Sequence, residues 1–181
     1  RVFRVRVFIA PQAAADLLAL QAHLGYGQDG VRVRAFNHLG PGQDDRFVCS
    51  ALAARIVANQ RSGRRDVPIG NLTARRDFTD VRDVVRAYRR MATDAVPGRV
   101  YNVCSGRSTS IQEVVDRLLA MSTHAMSAEV DADLFRPADL DDLCGDPSRL
   151  TDDTGWSPEY SLDRTLNDLL EDWRERLSTA D

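Results

Sequence analysis

Apolar residues recur at helical spacing in several stretches of the chain and form short uninterrupted runs between them. The helical spacing predicts helices over residues 12–24, 47–59, 81–93, 111–121 and 162–177, with a shorter one over 148–154. The short runs predict strands over residues 31–36, 67–69, 100–104 and, as a weak signal, 128–130. Because strands alternate with helices for most of the length, the pattern predicts an α/β fold with parallel strands.

Residues that begin or end helices place some of these boundaries. Pro11 suits the first turn of the first helix, and Gly25 suits its end. Ser110 and Glu113 have the spacing of a capping box at the start of the helix that follows them. Residues 1–9 partly alternate apolar and basic side chains, which indicates either a half-buried strand or a ragged terminus.

Composition narrows the classes of function. The chain has 181 residues, of which 43% are hydrophobic, as is usual for a soluble domain with a real core. A net charge of −3 gives a nucleic-acid role no global electrostatic support. All 24 basic residues are arginine, which favours bidentate recognition of phosphate or carboxylate but is also typical of a GC-rich genome.

Cysteine usage and hydropathy give an expected location. Cys49, Cys104 and Cys144 lack metal-ligand spacing, so we expect buried thiols in a reducing compartment and no metal site. No run of 18 apolar residues or signal peptide is present, so we expect a cytoplasmic protein without a membrane partner. The first residue is Arg1 rather than methionine, from which we expect that upstream sequence is missing.

Two short motifs are candidates for ligand binding. The strand over 31–36 runs into Asn37 and a turn rich in glycine and proline, and such strand ends carry the ligands of α/β sheets. Arg75 and Arg76 could clamp a diphosphate with Asp77 orienting one of them. Arg136, before a proline in an acidic loop, is a third candidate arginine. Taken singly, each candidate also has a structural explanation. Asn37 could simply close a turn, and the arginines could form surface ion pairs.

Together, these segments resemble the carboxyl-terminal half of the extended short-chain dehydrogenase/reductase (NAD-dependent epimerase/dehydratase) superfamily. Within it, they are most similar to the GDP-mannose 4,6-dehydratase and GDP-4-keto-6-deoxy-mannose reductase group. The matching segments are 13–18, 31–43, 47–50, 70–84, 100–106, 136–139, 145–146 and 154–156. The resemblance implies part of a Rossmann-like α/β fold from which most of the dinucleotide-binding half is missing. Residues 1–43 would be the remnant of that half, and residues 44–181 would be the nucleotide-sugar-binding part.

The resemblance also assigns substrate contacts, with a GDP-sugar as the expected ligand. Asn37 would contact the sugar or the diphosphate, and Val48 would help to hold the nucleotide. Asn71 would touch the base or the ribose. Arg76 and Arg136 would neutralise the diphosphate from two sides, which agrees with the preference of phosphate for arginine.

The cofactor and the catalytic pair match the family poorly. Family members bind NAD or NADP on a Gly-x-x-Gly-x-x-Gly turn after a strand, and this chain has no such turn. His38 stands where related dehydratases contact the cofactor, although it could instead be a turn histidine bonded to the backbone. Phe8 and Gln12 occupy the family's catalytic Tyr and Lys positions, and they supply neither a proton nor a charge.

We therefore expect a truncated family member that is not catalytically self-sufficient. One hypothesis is a dehydratase or reductase half that becomes active when the missing sequence completes it. Another is a non-catalytic module that binds a nucleotide sugar, forms a homodimer or pairs with an intact relative. A third is a degenerate fragment whose sheet exposes an apolar edge.

Overall fold

The computed structural model describes residues 6–135 and 140–179, with the backbone alone for residues 6–12. Within these residues the α-helices are Arg6–Tyr26 (α1), Val48–Ser62 (α2), Val81–Asp94 (α3), Ile111–Ala120 (α4), Ser148–Thr154 (α5) and Leu162–Ser178 (α6). The strands are Arg32–Ala35 (β1), Asn37–Leu39 (β2), Asp66–Ile69 (β3), Arg75–Asp80 (β4), Val100–Val103 (β5), Ser108–Ser110 (β6), Ser127–Val130 (β7) and Asp142–Leu143 (β8). A single 3₁₀ turn covers Ala132–Leu134.

Parallel pairing dominates the sheets, as the alternation of strands and helices predicts. Strand β1 pairs with β5, β2 with β4, and β3 with β7, all in parallel. Strand β4 also pairs in parallel with β8 and antiparallel with β6. The prediction of an α/β fold with parallel strands is therefore confirmed.

Two apolar cores hold these elements together. The larger one packs the inner faces of α2, α4 and α6 against β3 and β4, with side chains such as Ile56, Leu118 and Leu169 fully buried. The smaller one packs α3 and α5 against β5 around Tyr101 and Trp156. Both cores follow from helical spacing, because apolar residues three or four positions apart share one face of a helix.

Side-chain caps fix the beginnings of three helices. Asp80, Ser110 and Ser161 accept hydrogen bonds from the second or third amide of α3, α4 and α6 respectively. Each cap satisfies an amide that has no partner inside its helix. The predicted start of the helix at Ser110 is therefore correct, with its hydroxyl 3.1 Å from the Glu113 amide nitrogen.

The amino-terminal prediction is wrong in part. Residues 6–9 belong to α1 rather than to a strand, and residues 1–5 lie outside the described residues. The helix begins before Pro11 and continues through Gly25, and Gly27, at φ +64°, takes up the left-handed conformation. A helix satisfies its backbone hydrogen bonds locally, whereas a strand needs a neighbour, and no described strand is available to residues 6–9.

Predictions for short strands and for cysteines also need correction. Strands β2, β6 and β8 have two or three residues each, too few to show a period. The predicted strands also do not include β4, which has six residues. Cys49 and Cys104 are buried as expected, but Cys144, directly after the two-residue strand β8, is exposed. Burial raises the pKa of Cys49 to about 12. Among the described helices, none has the length and apolar character needed to cross a bilayer.

Candidate functional site

A groove of about 570 Å³ lies between α2, the turn after β3 and the start of β4. It brings together four residues that the sequence assigns to substrate binding: Asn37, Val48, Asn71 and Arg76. The fifth, Arg136, lies outside the described residues. These four residues are spread over forty positions of sequence, so their meeting in one groove is a result of the fold.

One face of α2 forms a wall of this groove. Val48, Ala51, Leu52 and Arg55 line it, and their spacing places them on one side of a helix. Val48 is 41% exposed, so its side chain can contact a ligand. The Arg55 guanidinium donates from Nη1 to the Pro68 carbonyl oxygen at 2.7 Å, which holds the arginine against β3. The sequence prediction missed Arg55, although its position seven residues after Val48 puts it on the same face.

Arg76 presents its charge to the groove from β4. Its Nη1 donates to the carbonyl oxygens of Arg75 at 2.6 Å and Leu140 at 3.0 Å. No carboxylate within the described residues pairs with it. A guanidinium has five N–H donors, so the remaining ones are available to an anionic ligand.

Asp77 and Arg75 do not take part as the sequence suggested. The Asp77 carboxylate is fully buried and accepts from the amides of Ser105, Gly106 and Gly145 instead of orienting an arginine. Arg75 donates to the carbonyl oxygen of Ser108 and lines none of the described cavities. The reason is the period of a strand, because Arg75 and Asp77 point to one face of β4 and Arg76 points to the other.

The side chain of Asn71 closes a turn with its oxygen and leaves its nitrogen available as a donor. Its Oδ1 accepts from the amide and the hydroxyl of Thr73, both at 2.9 Å, which closes the turn after β3. The amide nitrogen of its side chain has no partner among the described residues. Gly70 before it approaches the 3₁₀ turn so closely that a Cβ would lie 2.3 Å from the Leu134 carbonyl oxygen.

The charges that line the groove favour an anion. Among the described residues, the lining of the groove contains one carboxylate, Asp45, and three arginines, which are Arg46, Arg55 and Arg76. Arg46 is paired with Asp44 at 2.8 Å, and this hydrogen bond holds the pKa of Asp44 below its ordinary value. The groove therefore combines guanidinium donors with the apolar side chains of α2. The guanidinium groups suit a phosphate, and the apolar side chains suit a less polar part of the same ligand, such as a base.

A second cavity, of about 630 Å³, shares Asn37 and Val48 with the groove and is lined mainly by the segment 36–44. His38 lines it and lies with Nδ1 3.1 Å from the Phe36 carbonyl oxygen. Two amides of the glycine-rich turn already have partners, so they are not free to bind the diphosphate of a dinucleotide in this conformation. Gly42 donates to Asp172 at 3.0 Å, and Gln43 donates to the Gly40 carbonyl oxygen at 3.2 Å.

The side chains of Phe8 and Gln12 lie outside the described part of the chain, although their backbone belongs to α1. Their assignment to the catalytic positions of the family stays a prediction. No group of three or more potential ligands for a metal ion occurs among the described residues.

Comparison with known proteins identifies the family. Residues 10–169 match the family model described as GDP-mannose 4,6 dehydratase. The chain belongs to the GDP-mannose 4,6-dehydratase family. The resemblance on which the sequence prediction rested is confirmed.

Individual relatives agree with this assignment. Over 172 residues the chain is 36% identical to the GDP-6-deoxy-D-mannose reductase of Pseudomonas aeruginosa, covering 94% of this chain and 56% of the relative. It is 26% identical to the GDP-mannose 4,6-dehydratase of Yersinia enterocolitica, covering 89% of this chain and 52% of the relative. The solved structure of RMD from Pseudomonas aeruginosa complexed with NADPH superposes with a TM-score of 0.84 at 35% identity, over 91% of this chain and 55% of that one. The chain thus spans about half the length of the relatives that it matches.

Proposed function

We propose that this chain is the nucleotide-sugar-binding part of an NAD(P)-dependent dehydratase or reductase that acts on a GDP-mannose-type substrate. The observation that carries the proposal is the convergence of Asn37, Val48, Asn71 and Arg76 in one arginine-rich groove. The relatives that are named for GDP-sugar substrates support the substrate class.

The groove suggests how the ligand is held. Arg76 and Arg55, on opposite walls, donate to the diphosphate, and the apolar face of α2 beginning at Val48 supports the nucleoside. The side-chain amide of Asn71 donates to the base or the ribose. Asn37, which lines both cavities, contacts the sugar at the point where a cofactor would approach it.

We further propose that the chain alone does not complete a reaction. Dehydration or reduction of a sugar in this family needs a bound nicotinamide and a positioned acid/base. Phe8 and Gln12 at the family's Tyr and Lys positions supply no acid/base. In the turn over 40–43, the amides of Gly42 and Gln43 already donate to other groups and are not free for a diphosphate. His38 could contact a nicotinamide but could not anchor the rest of the dinucleotide. Residues 44–181 would therefore carry most of the substrate contacts, with Asn37 added from the preceding segment.

Calorimetric titration of the purified chain with GDP, GDP-mannose and NADPH tests both parts. We expect saturable binding of GDP and GDP-mannose and no binding of NADPH. A chain that binds neither GDP nor GDP-mannose at millimolar concentration contradicts the assignment of the groove. Binding of NADPH together with turnover of a GDP-sugar contradicts the claim that the chain is incomplete.

A further inference from the structure

The carboxyl-terminal half of α6 lies against the glycine-rich turn that follows β2. The Asp172 carboxylate accepts a hydrogen bond from the backbone amide of Gly42 at 3.0 Å. Arg176 donates from Nη1 to the backbone carbonyl oxygen of Gln43 at 3.1 Å. Asp172 and Arg176 also bind each other at 2.8 Å, as expected for positions four residues apart on a helix. This ion pair therefore holds a backbone donor and a backbone acceptor of two adjacent turn residues.

Two further contacts join α6 and α2 to the same turn. The Trp173 indole nitrogen donates to the Ser50 hydroxyl at 2.9 Å, and this hydroxyl donates to the Gln43 carbonyl oxygen at 2.9 Å. The Arg176 guanidinium carbon lies 4.8 Å from the centroid of the Trp173 ring, and this contact restricts the position of the arginine. The Gln43 carbonyl oxygen is therefore held by donors from two different helices.

The turn needs these external contacts because its own chain does little to fix its shape. Gly42 has a φ of +87°, a conformation that glycine adopts readily, and it has no side chain with which to hold itself in place. Within the turn, the Gln43 amide donates to the Gly40 carbonyl oxygen at 3.2 Å. The hydrogen bonds from α2 and α6 therefore decide where the turn lies.

Gln43 links the turn to the candidate site. Its side-chain nitrogen donates to the His38 carbonyl oxygen at 2.9 Å, which joins the turn to β2 one residue after Asn37. Asn37 lines both the groove and the second cavity, whereas Gly42 and Gln43 line the second cavity but not the groove. The turn therefore forms a wall beside Asn37, in the cavity that Arg76 does not line.

We propose that Asp172 and Arg176 are positioning residues, which hold the turn over 40–43 against β2 so that Asn37 and this wall fit the sugar of a nucleotide sugar. The inference rests on the proposed function, in which Asn37 contacts the sugar and Arg76 contacts the diphosphate. Because residues 40–43 do not line the groove that holds the nucleotide, the ion pair acts on binding of the sugar and not of the nucleotide. It thereby sets the preference of the chain for a GDP-sugar over GDP.

Calorimetric titration of the purified chain and its variants with GDP and GDP-mannose tests this role. Arg176→Ala should weaken binding of GDP-mannose by about fivefold, the loss expected for one hydrogen bond, and should leave binding of GDP within about twofold. Arg174→Ala is the matched control. The side chains of Arg174 and Arg176 are 30% and 32% exposed, and each pairs with a carboxylate of α6. Arg174 binds Glu171 instead of the turn, so its loss should leave both affinities unchanged.

Two comparisons separate positioning from a general structural defect. Asp172→Asn keeps an oxygen that can accept the hydrogen bond from the Gly42 amide, so it should retain most of the preference for GDP-mannose that Asp172→Ala loses. Gln43→Ala removes the link to His38, so adding Arg176→Ala to it should cause little further loss. Circular dichroism of each variant shows that it is folded.

Four outcomes would overturn the inference. In the first, Arg176→Ala leaves the ratio of the two affinities unchanged, and in the second, Arg174→Ala lowers that ratio as much. The third is additive losses in the double variant of Gln43 and Arg176, which would show that the two residues act independently. The fourth is an unaltered chain that binds GDP but binds GDP-mannose no more tightly, since the groove then stands without a sugar contact to position. A chain that binds neither ligand contradicts the proposed function and this inference with it.

Discussion

At the scale of single residues, the direction of a side chain decides which arginine can meet a ligand. Arg75 and Arg76 are adjacent and equally charged, yet only Arg76 lines the groove. Its guanidinium is held by two carbonyl oxygens and has no carboxylate partner in the described chain. Such an arginine retains its charge and free N–H donors for an anion. Comparing variants of Arg75 and Arg76 therefore separates the effect of side-chain direction from the effect of charge.

We predict that Arg76→Ala weakens GDP binding by about 1.5–3 kcal/mol, as expected for the loss of a charge-assisted hydrogen bond. Arg55→Ala should act in the same direction. Arg75→Ala is the control, and it should leave GDP affinity within about twofold because Arg75 faces away from the groove. Calorimetric titration measures all three. An equal loss in the Arg75 and Arg76 variants would show that net charge, rather than direction, matters.

Asp153 gives a prediction on pH. The Tyr101 hydroxyl at 2.6 Å and the Arg99 guanidinium at 2.8 Å lower the pKa of Asp153 in the folded state. A depressed folded pKa stabilises the protein above the unfolded value, near 3.8, and this stabilisation disappears as the pH falls through the folded pKa. We therefore expect Asp153→Asn to reduce the slope of unfolding free energy against pH below about pH 4. Urea titrations at several pH values test this, and an unchanged slope would assign the acid sensitivity to other carboxylates.

At the scale of elements, close backbone contacts place the walls of the groove. The turn after β3 reaches the 3₁₀ turn Ala132–Leu134 only because Gly70 has no side chain. Leu134 lines the groove, so its position depends on this contact. Asp77 fixes a second backbone contact, because its carboxylate accepts hydrogen bonds from the amides of Gly106 and Gly145 and so joins β4 to the loops that carry these glycines.

We predict that Gly70→Ala lowers GDP affinity, because the added Cβ would lie 2.3 Å from the Leu134 carbonyl oxygen and must displace that wall. Gly30→Ala is the control, since a Cβ there meets nothing within 4 Å. Titration with GDP and thermal unfolding of both variants separate a binding defect from a general loss of stability. Equal GDP affinity in both variants would remove the 3₁₀ turn from the site.

A second prediction at this scale concerns the cap of α4. Ser110→Ala should destabilise the protein by about 1 kcal/mol, the usual cost of losing an N-cap. Ser110→Asp should recover most of that stability, because the aspartate carboxylate can accept the hydrogen bond from the Glu113 backbone amide. Urea unfolding measures the difference, and GDP affinity should stay unchanged since Ser110 lines none of the described cavities.

At the scale of the whole molecule, the two cores have different relations to the groove. The larger core packs the inner face of α2, and another face of the same helix lines the groove. The smaller core lies between α3, α5 and β5, and none of the residues that line the groove belongs to these elements. Substitutions in the smaller core should therefore change stability more than they change binding in the groove.

Binding should be visible as stabilisation of the whole fold. GDP at about one hundred times its dissociation constant adds about 2.7 kcal/mol, which corresponds to a rise in Tm of about 5–10 °C. NADPH should leave Tm unchanged. Differential scanning calorimetry with each nucleotide, and with Arg76→Ala as a binding-deficient control, measures this. A matching rise with NADPH would contradict the proposed loss of the dinucleotide site.

By itself, the sequence determined the long helices, the strands β1, β3, β5 and β7, and the family. These depend on spacing and on local chemistry, such as the apolar face of α2 and the cap at Ser110, which act within a few residues. Tertiary structure alone decided which strands pair, that Arg76 and Arg55 share a groove while Arg75 does not, and that Cys144 is exposed. The physical reason is that these outcomes depend on contacts between residues far apart in the chain, and strands as short as β2 and β8 exist only because a neighbour accepts their hydrogen bonds.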